Sequence, residues 1–435
     1  MKLILENIGM LKNATITLNR LCIIAGENDN GKSTVGKVVF CLIKAINRYR
    51  EDLNESKEHK IRDRQRDMFF LLRRNAESAF EAIEDTFRKL HDKLESLISD
   101  EDRDFQYSEV SLLVEELVTI AELDGEVAES FRSICRESFY IATAPEDERK
   151  SIESALNKVF ASEFDSSVLL EGEVSGSIRL YENKRLLLSI KVSNGNKLTL
   201  DGDIEPIELT EATFIESPLI LNNHDLLIRS QTGLTVGRSR LNRLGIPFTT
   251  LHTKDLFEKL KEPLLEFNEF SHNEADLTHK LREIMSGSIS YDSTSRDFIY
   301  TKKNHTISIK NTASGIKVFG IIQLLIANDY LKKNTVIVFD EPENHLHPKW
   351  QLKLAEVLVA FAQAGVYIVV SSHSPYMLEA LKRFSQAQGV EDQTNFYLAK
   401  ENMIEDKDGL EEIFSILSEP FKVFESMDRE MLRNE

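Results

Sequence analysis

Residues 26–34, GENDNGKST, constrain the fold of this chain more than any other segment. They fit the pattern G-x-x-x-x-G-K-[ST], follow the apolar run LCIIA and precede a helix-compatible stretch that starts at Ser33. The two glycines allow the backbone to wrap around phosphate oxygens, and the N-terminus of the helix attracts negative charge. A glycine-rich loop can match this pattern by chance, but the strand and helix around it are the context that phosphate binding requires. The sequence therefore predicts a phosphate-binding loop in an α/β domain.

The chemistry of this loop gives a role to several of its side chains. Gly26 and Gly31 permit close approach of the backbone, and Lys32 is expected to reach the β- and γ-phosphates. Ser33 is expected to bind Mg²⁺, and Thr34 to support the α-phosphate. The predicted nucleotide contacts in the loop are Gly26, Asn28, Asn30, Gly31, Lys32, Ser33 and Thr34.

A second motif, TVIVFDEPENHLHP, spans residues 335–348. Apolar residues lead into Asp340, whose carboxylate at the C-terminal end of a strand can hold Mg²⁺ through water. Glu341 follows and is placed to polarise an attacking water. Alone, this segment also fits a strand that ends in a solvated acidic turn, but the phosphate-binding loop favours the catalytic interpretation. We predict Glu341 as a catalytic residue and Asp340, together with Ser33, as a metal-binding residue.

A third motif is the apolar run of residues 366–371, which is followed by Ser372 and His373. A histidine just past the C-terminal end of a buried strand lies on the edge where ligands bind to open α/β sheets. A lone histidine is more often structural, but its place after the other two motifs favours contact with a γ-phosphate. We predict His373 as the second catalytic residue.

Taken in order, these motifs resemble the ATP-binding-cassette (ABC) class of P-loop ATPases, and more narrowly its soluble SMC/RecF/OLD-like branch. Asn28 stands at the asparagine common in cassette loops, and His373 stands at the switch histidine. Residues 340–347, DEPENHLH, are similar to the Walker B motif running into the D-loop. The resemblance covers about the first 45 and the last 150 residues. It implies an α/β fold, an ABC-type P-loop head with a mixed or parallel sheet, with ATP and Mg²⁺ as cofactors and ATP hydrolysis as the activity.

Residues 313–317, ASGIK, resemble the signature motif LSGGQ of this family. Ser314 and Gly315 match it, and Lys317 replaces the usual Gln or Glu. In cassette ATPases this serine and the following N–H groups bind the γ-phosphate of ATP held by the opposite subunit. The resemblance therefore implies a head-to-tail homodimer, or a higher homo-oligomer, that closes around ATP and opens after hydrolysis. Without the resemblance, Ser314 also fits a helix N-cap.

The glutamine of the family's Q-loop has no clear counterpart in this sequence. Residues 214–221, FIESPLIL, are the candidate region for that connection but contain no glutamine, and Gln231 is the other candidate.

The resemblance also suggests what the ATPase serves. Bacterial members with this layout often act in anti-phage defence beside a separate nuclease or toxin, and the chain itself carries no nuclease motif. A sensor or regulator that controls a separate effector is therefore expected. A RecF-type ATPase of DNA maintenance and an ATP-loaded scaffold with little turnover are the alternatives.

The remaining sequence predicts an insertion between two halves of one head. Residues 1–45 and 305–435 are expected to form the ATPase head. Residues 46–165 are strongly helical and charged, which predicts an inserted helical arm with residues 98–109 as its turn. Residues 166–304 begin with alternating apolar and polar residues around Gly and Asn turns. This pattern predicts a small antiparallel β region and a mixed connecting lobe.

The net charge of −18 argues against a protein that coats nucleic acid or anionic membrane over its whole surface. Two Arg-rich runs, residues 59–75 and 228–243, are nevertheless candidates for local DNA or RNA contact, the first being equally typical of a solvated helix face. No apolar run is long enough to span a bilayer, and the start does not fit a signal peptide. Three widely separated cysteines fit a reducing compartment, so we expect a cytoplasmic protein without a membrane partner.

Overall fold

The computed structural model describes residues 1–75, 80–97, 103–143, 147–230, 232, 248–261, 272–303, 305–405, 410–417, 424 and 427. The chain divides into two compact units, one formed by residues 1–47 and 156–435 and the other by residues 48–155. Each unit has buried apolar residues of its own: Leu21, Phe257 and Val370 lie in the core of the first, and Leu90 and Phe131 in that of the second.

The first unit is built on a mixed sheet of eleven strands in the order β6-β5-β4-β1-β2-β14-β13-β3-β12-β11-β7. A second sheet of three antiparallel strands has the order β10-β9-β8. The strands are β1 Lys2–Ile8, β2 Leu11–Thr17, β3 Leu21–Ala25, β4 Ser175–Glu182, β5 Arg185–Ser193, β6 Lys197–Leu200, β7 Glu211–Ile215, β8 Ser288–Asp292, β9 Asp297–Lys302, β10 His305–Ser308, β11 Thr335–Asp340, β12 Tyr367–Ser372, β13 Thr394–Lys400 and β14 Met403–Glu405.

Helices lie between these strands in sequence and make up the second unit. They are α1 Lys32–Asn75, α2 Phe80–Ser96, α3 Arg103–Ile120, α4 Gly125–Thr143, α5 Glu148–Glu163, α6 His224–Arg229, α7 Leu251–Lys261, α8 His272–Met285, α9 Ser314–Ala327, α10 Pro348–Gln363, α11 Pro375–Ala387 and α12 Leu410–Leu417. None of those in the described ranges combines the length and the apolar content that crossing a bilayer requires. The three cysteines, Cys22, Cys41 and Cys135, are buried and form no disulfide.

Five neighbouring strands, β13-β3-β12-β11-β7, run parallel and position the predicted site. The strands β3 and β11 are buried at every residue, as expected for parallel strands covered on both faces. Because the strands are parallel, their carboxyl ends meet at one edge of the sheet. The phosphate-binding loop follows β3, Glu341 follows β11 and His373 follows β12, so the three predicted motifs reach the same edge. The predicted fold class, an α/β P-loop head, is confirmed.

The β meander of residues 175–200 extends the large sheet, since β4 pairs with β1 in antiparallel register. The predicted divisions near residues 45 and 165 lie close to the borders of the second unit, which fall at residues 47/48 and 155/156. The predicted division at residues 304/305 does not coincide with a border between the two units. The β region shares the sheet of the ATPase head, and its pairing partner β1 lies far away in sequence.

In the second unit, the prediction of a turn over residues 98–109 is wrong from residue 103 onward, where α3 begins. Residues 98–102 lie outside the described part of the chain. Val114 and Leu117 of α3 lie in a shared core with Leu94 of α2 and Phe131 of α4. Packing against the neighbouring helices thus overrides the turn-like composition of residues 103–109.

Candidate nucleotide-binding site

The phosphate-binding loop adopts a backbone that only glycine fits at two positions. Gly26 has a φ of 151°, and a Cβ there would lie 2.4 Å from the carbonyl oxygen of Ala399. Gly31 has a φ of 78°, and a Cβ there would lie 2.5 Å from the side chain of Leu11. Both φ values lie in the region that L side chains rarely adopt. The loop therefore requires both glycines for its shape.

Polar groups of the loop donate hydrogen bonds to carbonyl oxygens of the same loop. The Lys32 ammonium is buried, donates a hydrogen bond of 2.8 Å to the Glu27 carbonyl oxygen, and so crosses the loop. Asn30 donates from its side-chain amide to the carbonyl oxygen of Asn28 at 3.3 Å, whereas the Asn28 side chain is exposed. The Thr34 amide donates to the Gly31 carbonyl oxygen at 3.1 Å, which begins α1. The Lys32 ammonium thus lies where it could pair with an anion bound in the loop.

A hydroxyl and a carboxylate oxygen converge at the base of the loop. Ser33 Oγ donates a hydrogen bond of 2.9 Å to Asp340 Oδ1, although the two residues are far apart in sequence. Ser371, next to Asp340 in the register of β11 and β12, also donates its hydroxyl to that oxygen. Burial raises the pKa of Asp340 above its usual value, with smaller contributions from neighbouring negative charges. A cation at this position would relieve that electrostatic cost.

The donor set at Ser33 and Asp340 fits Mg²⁺. Mg²⁺ takes oxygen ligands, keeps several waters, and is usually held by one or two protein groups together with substrate phosphates. Across the described residues, no three His, Cys, Asp or Glu side chains group closely enough to hold a metal by themselves. The hydroxyl and the carboxylate would therefore hold the metal together with nucleotide oxygens and water.

Glu341 lies between the lysine of the loop and the predicted switch histidine. Its Oε1 atom is 3.6 Å from Lys32 Nζ and 3.3 Å from His373 Nδ1, and its Oε2 atom accepts a hydrogen bond of 3.1 Å from Asn344. Burial would raise the pKa of Glu341, but the hydrogen bond from Asn344 and the interactions with His373 and Lys32 hold it below its usual value. Glu341 is therefore ionised at neutral pH and can accept a proton or orient a water.

A buried carboxylate that the sequence analysis missed fixes the backbone around His373. Glu343 Oε1 accepts hydrogen bonds from Ser372 Oγ at 2.7 Å, from the His373 amide at 2.8 Å and from the Ser374 amide at 3.2 Å. The Glu343 side chain is only 3% exposed, whereas that of His373 is 39% exposed. Glu343 therefore links the segment after β11 to the segment after β12, and His373 faces outward from that link.

The signature segment contacts the segment after β11 in its own chain. Ser314 begins α9 and donates its hydroxyl to the His345 carbonyl oxygen at 3.0 Å. A Cβ at Gly315 would lie 2.8 Å from the ring of Trp350, so the indole packs directly on this glycine. Within the described ranges, no hydrogen bond or ion pair joins Ser314 to the phosphate-binding loop of the same chain.

A second residue missed by the sequence analysis is Glu216, in the segment proposed as the connection without a glutamine. Because Ile215 pairs with Phe339 in parallel register, Glu216 reaches the carboxyl edge beside Asp340. Its charge is one of those that raise the pKa of Asp340. The sequence does not predict this position of Glu216, because it does not show which strand pairs with β7. Gln231, the other candidate, lies outside the described residues.

Two weaker sequence features have different outcomes. His345 and His347, whose H-x-H spacing is also that of a metal pair, belong to no metal-binding group among the described residues, and His347 Nδ1 instead accepts the Lys349 amide at 3.2 Å as the cap of α10. Arg64 in the first basic run pairs with Asp67 at 3.5 Å and Glu137 at 3.2 Å, as on a solvated helix face. Most of the second run, residues 233–243, lies outside the described part of the chain.

Comparison with known proteins adds a family match. Residues 215–378 match the AAA ATPase domain family, a segment that contains Asp340, Glu341 and His373 but not the phosphate-binding loop. The chain is also 43% identical to the Old nuclease of Escherichia phage P2 over 49 residues, which are 11% of this chain and 8% of the nuclease. This chain thus spans a small part of the length of that relative.

Similar solved structures include two SMC heads and a cassette. The SMC head bound to the C-terminal winged-helix domain of ScpA is 11% identical, with a TM-score of 0.38 over 93% of this chain and 95% of that one. The SMC head from Thermotoga maritima is 9% identical, with a TM-score of 0.36 over 91% and 93%. An ATP-binding cassette of an ABC transporter in its ADP conformation is 14% identical, with a TM-score of 0.33 over 97% of each chain.

The family match and the local identity to Old nuclease agree with the predicted resemblance to an OLD-like ATPase.

Proposed function

We propose that this protein binds ATP with Mg²⁺, hydrolyses it, and uses the cycle as a conformational switch. The observation that carries the proposal is the meeting of Lys32, Ser33, Asp340, Glu341 and His373 at one edge of the parallel strands. A phosphate-binding loop, a metal-binding pair and an ionised carboxylate are the parts that phosphoryl transfer to water requires.

Each residue has a distinct task in this proposal. The loop amides and Lys32 bind the phosphates, and Ser33 and Asp340 hold Mg²⁺, which would supply charge neutralisation of the phosphate oxygens. Glu341, as an ionised carboxylate, orients the attacking water and accepts its proton. His373, 3.3 Å from Glu341 Oε1, contacts the γ-phosphate side of the site from its half-exposed position.

The signature segment supports assembly of two chains around ATP. Ser314 and the first N–H groups of α9 form a helix N-terminus that suits an anion, and in the described part of the chain the Ser314 hydroxyl donates to the His345 carbonyl oxygen, not to the phosphate-binding loop. We propose that these groups bind the γ-phosphate of ATP held by a second copy. A head-to-tail homodimer, or a larger homo-oligomer built from it, is then the ATP-loaded state, and hydrolysis opens it.

The biological role that fits best is the sensor or regulator of an anti-phage defence system, acting in the cytoplasm on a separate nuclease or toxin. The local identity to the Old nuclease supports a link with nuclease action, and the three buried thiols support a reducing compartment such as the cytoplasm. A RecF-like ATPase of DNA maintenance is the alternative, with the Arg-rich runs as its DNA contact. Salt-dependent DNA binding by the purified chain would favour the alternative, and stable assembly with a co-expressed effector from a neighbouring gene would favour defence.

Nucleotide binding itself is tested by titrating a fluorescent ATP analogue into wild-type and Lys32→Ala protein in the presence of Mg²⁺. Because Lys32 lies across the loop, we expect its loss to raise Kd at least about tenfold. The exposed Lys12 provides the control, since Lys12→Ala should bind as the wild type does. Equal Kd values for Lys32→Ala and the wild type would refute the assigned site.

A further inference from the structure

Both outer strands of the large sheet, β6 and β7, are capped by side chains from neighbouring helices. On β6, Leu198 is held through both of its backbone groups, because Asn157 of α5 donates to its carbonyl oxygen at 2.7 Å and accepts its amide at 2.9 Å. On β7, Lys259 of α7 donates to the Ala212 carbonyl oxygen at 2.7 Å. These contacts occupy backbone groups with which a further strand would otherwise pair.

The small sheet is capped at one edge but, within the described residues, not at the other. On β8, the Ile289 amide donates to Gln323 Oε1 of α9 at 3.0 Å. On β10, the opposite outer strand, Thr306 and Ile307 are exposed. In the part of the chain that the structure describes, Thr306 forms no hydrogen bond beyond the hairpin with β9. Among these residues, the edge of β10 is therefore open to a further strand.

The hairpin of β9 and β10 sets which backbone groups of β10 point outward. Only residues 303–304 connect the two strands, and Lys302 pairs with His305 across this connection. The pair that closes such a short loop exchanges backbone hydrogen bonds, and bonded pairs then alternate with unbonded ones along the ladder. Thr306 pairs with Thr301 at the next, unbonded position. Its N–H and C=O groups thus point away from β9, toward the open edge.

The surface beside this edge combines an apolar side chain with positive charge. Ile307 is 41% exposed and lies on the same face of the sheet as the buried Tyr300, with which it pairs. Lys302 and Lys303 are exposed, and neither forms an ion pair with any described residue, in a chain whose net charge is −18. A strand added to β10 would cover Ile307 with one side chain and place the next side chain of that face near the two lysines.

We propose that β10 docks an extended segment of a partner protein, which carries an apolar residue opposite Ile307 and an acidic residue two positions away. In this mode of binding, backbone hydrogen bonds supply affinity and the alternate side chains supply specificity. The open backbone edge at Thr306 and the exposed Ile307 favour a protein segment over a nucleic acid, which would use the lysines alone. The inference does not rest on the proposed nucleotide site.

The test uses the full chain and a labelled synthetic peptide, Thr-Val-Thr-Glu-Thr-Val-Thr-Glu, whose valines and glutamates share one face when it is extended. Fluorescence anisotropy should show saturable binding to the wild type. Thr306→Pro removes an N–H that β9 does not use, so the hairpin should remain, as circular dichroism checks, and Kd should rise at least about tenfold. The same peptide with every backbone amide methylated keeps its charges but cannot donate to β10, and it should not bind.

The role of charge is tested with Lys303→Glu, which should weaken binding of the peptide. Lys184→Glu is the matched control, since it makes the same change in the two-residue connection between β4 and β5 and should bind as the wild type does. Should Thr306→Pro fail to fold, the methylated peptide decides the question with the wild-type chain.

Failure of the wild type to bind the peptide, equal binding of the methylated peptide, or wild-type affinity in folded Thr306→Pro would overturn the inference. Self-association of the wild type that Thr306→Pro abolishes would also overturn it, by assigning the edge to a second copy. Binding of a single-stranded oligonucleotide that is lost in Lys303→Glu and kept in Thr306→Pro would overturn it in favour of nucleic acid. Because ATP is absent from these assays, their failure leaves the proposed function untouched.

Discussion

The charge on His252 makes the stability of the first unit depend on pH. This buried α7 histidine lies 2.7 Å from Glu163 Oε2 through Nδ1 and 3.2 Å from Glu216 Oε2 through Nε2. Burial would lower its pKa, but the hydrogen bonds and charges of the two carboxylates raise it to about 9, above the ordinary 6.5. A group whose pKa is raised by folding stabilises the folded state fully below its unfolded pKa, and this contribution is lost as pH rises through the folded pKa. With about 1.36 kcal/mol per pKa unit, the shift corresponds to roughly 3 kcal/mol. The free energy of unfolding should therefore fall between pH 6.5 and pH 9 on account of this one residue.

Urea unfolding followed by tryptophan fluorescence measures this contribution, because the single tryptophan, Trp350, lies in the first unit. Other groups also titrate in this range, so the wild type is compared with His252→Gln at pH 6 and at pH 9.5. We expect the difference in free energy of unfolding between them to shrink by roughly 3 kcal/mol as pH rises. A difference that stays constant over this range would show that Glu163 and Glu216 do not hold a charged His252.

Two further predictions concern the loop and the segment behind His373. Gly31→Ala should destabilise the protein by about 1–3 kcal/mol and weaken nucleotide binding, because Gly31 has a φ of 78° and the added Cβ would meet Leu11. Thermal unfolding measures the first effect and titration with an ATP analogue the second. A variant with the stability and affinity of the wild type would contradict the loop geometry. Glu343→Gln should lower the ATP hydrolysis rate about tenfold or more and leave the nucleotide affinity nearly unchanged, because it disturbs the backbone at His373. A loss of nucleotide affinity instead would contradict a role confined to hydrolysis.

The sequence predicted the parts of the site that lie in short continuous motifs. The loop between β3 and α1 carries its glycines, lysine and serine within one motif, and the acidic pair ends a strand whose apolar run is plain. The positions of these side chains depend only on the strand, turn and helix that carry each motif. The sequence therefore predicted the α/β head and the edge at which Lys32, Asp340 and His373 meet.

The parts that sequence missed depend on which distant segments become neighbours. Glu216 matters because β7 pairs with β11, and neither strand reveals its partner. The same holds for β4, which joins the large sheet by pairing with β1 across an insertion of more than a hundred residues. In the sequence, Glu343 is one more acidic residue of a polar turn. In the structure, its carboxylate accepts three hydrogen bonds from the segment around His373.

The central claim, a switch driven by ATP hydrolysis, is tested most directly by comparing wild-type and Glu341→Gln protein. Steady-state ATP hydrolysis and assembly state, the latter from light scattering during size-exclusion chromatography, are measured with and without Mg-ATP. The account predicts that Glu341→Gln binds ATP, loses at least about a hundredfold in hydrolysis rate, and accumulates as an ATP-bound dimer or larger assembly. A variant that hydrolyses like the wild type, or that stays in the same assembly state with and without ATP, would contradict the account.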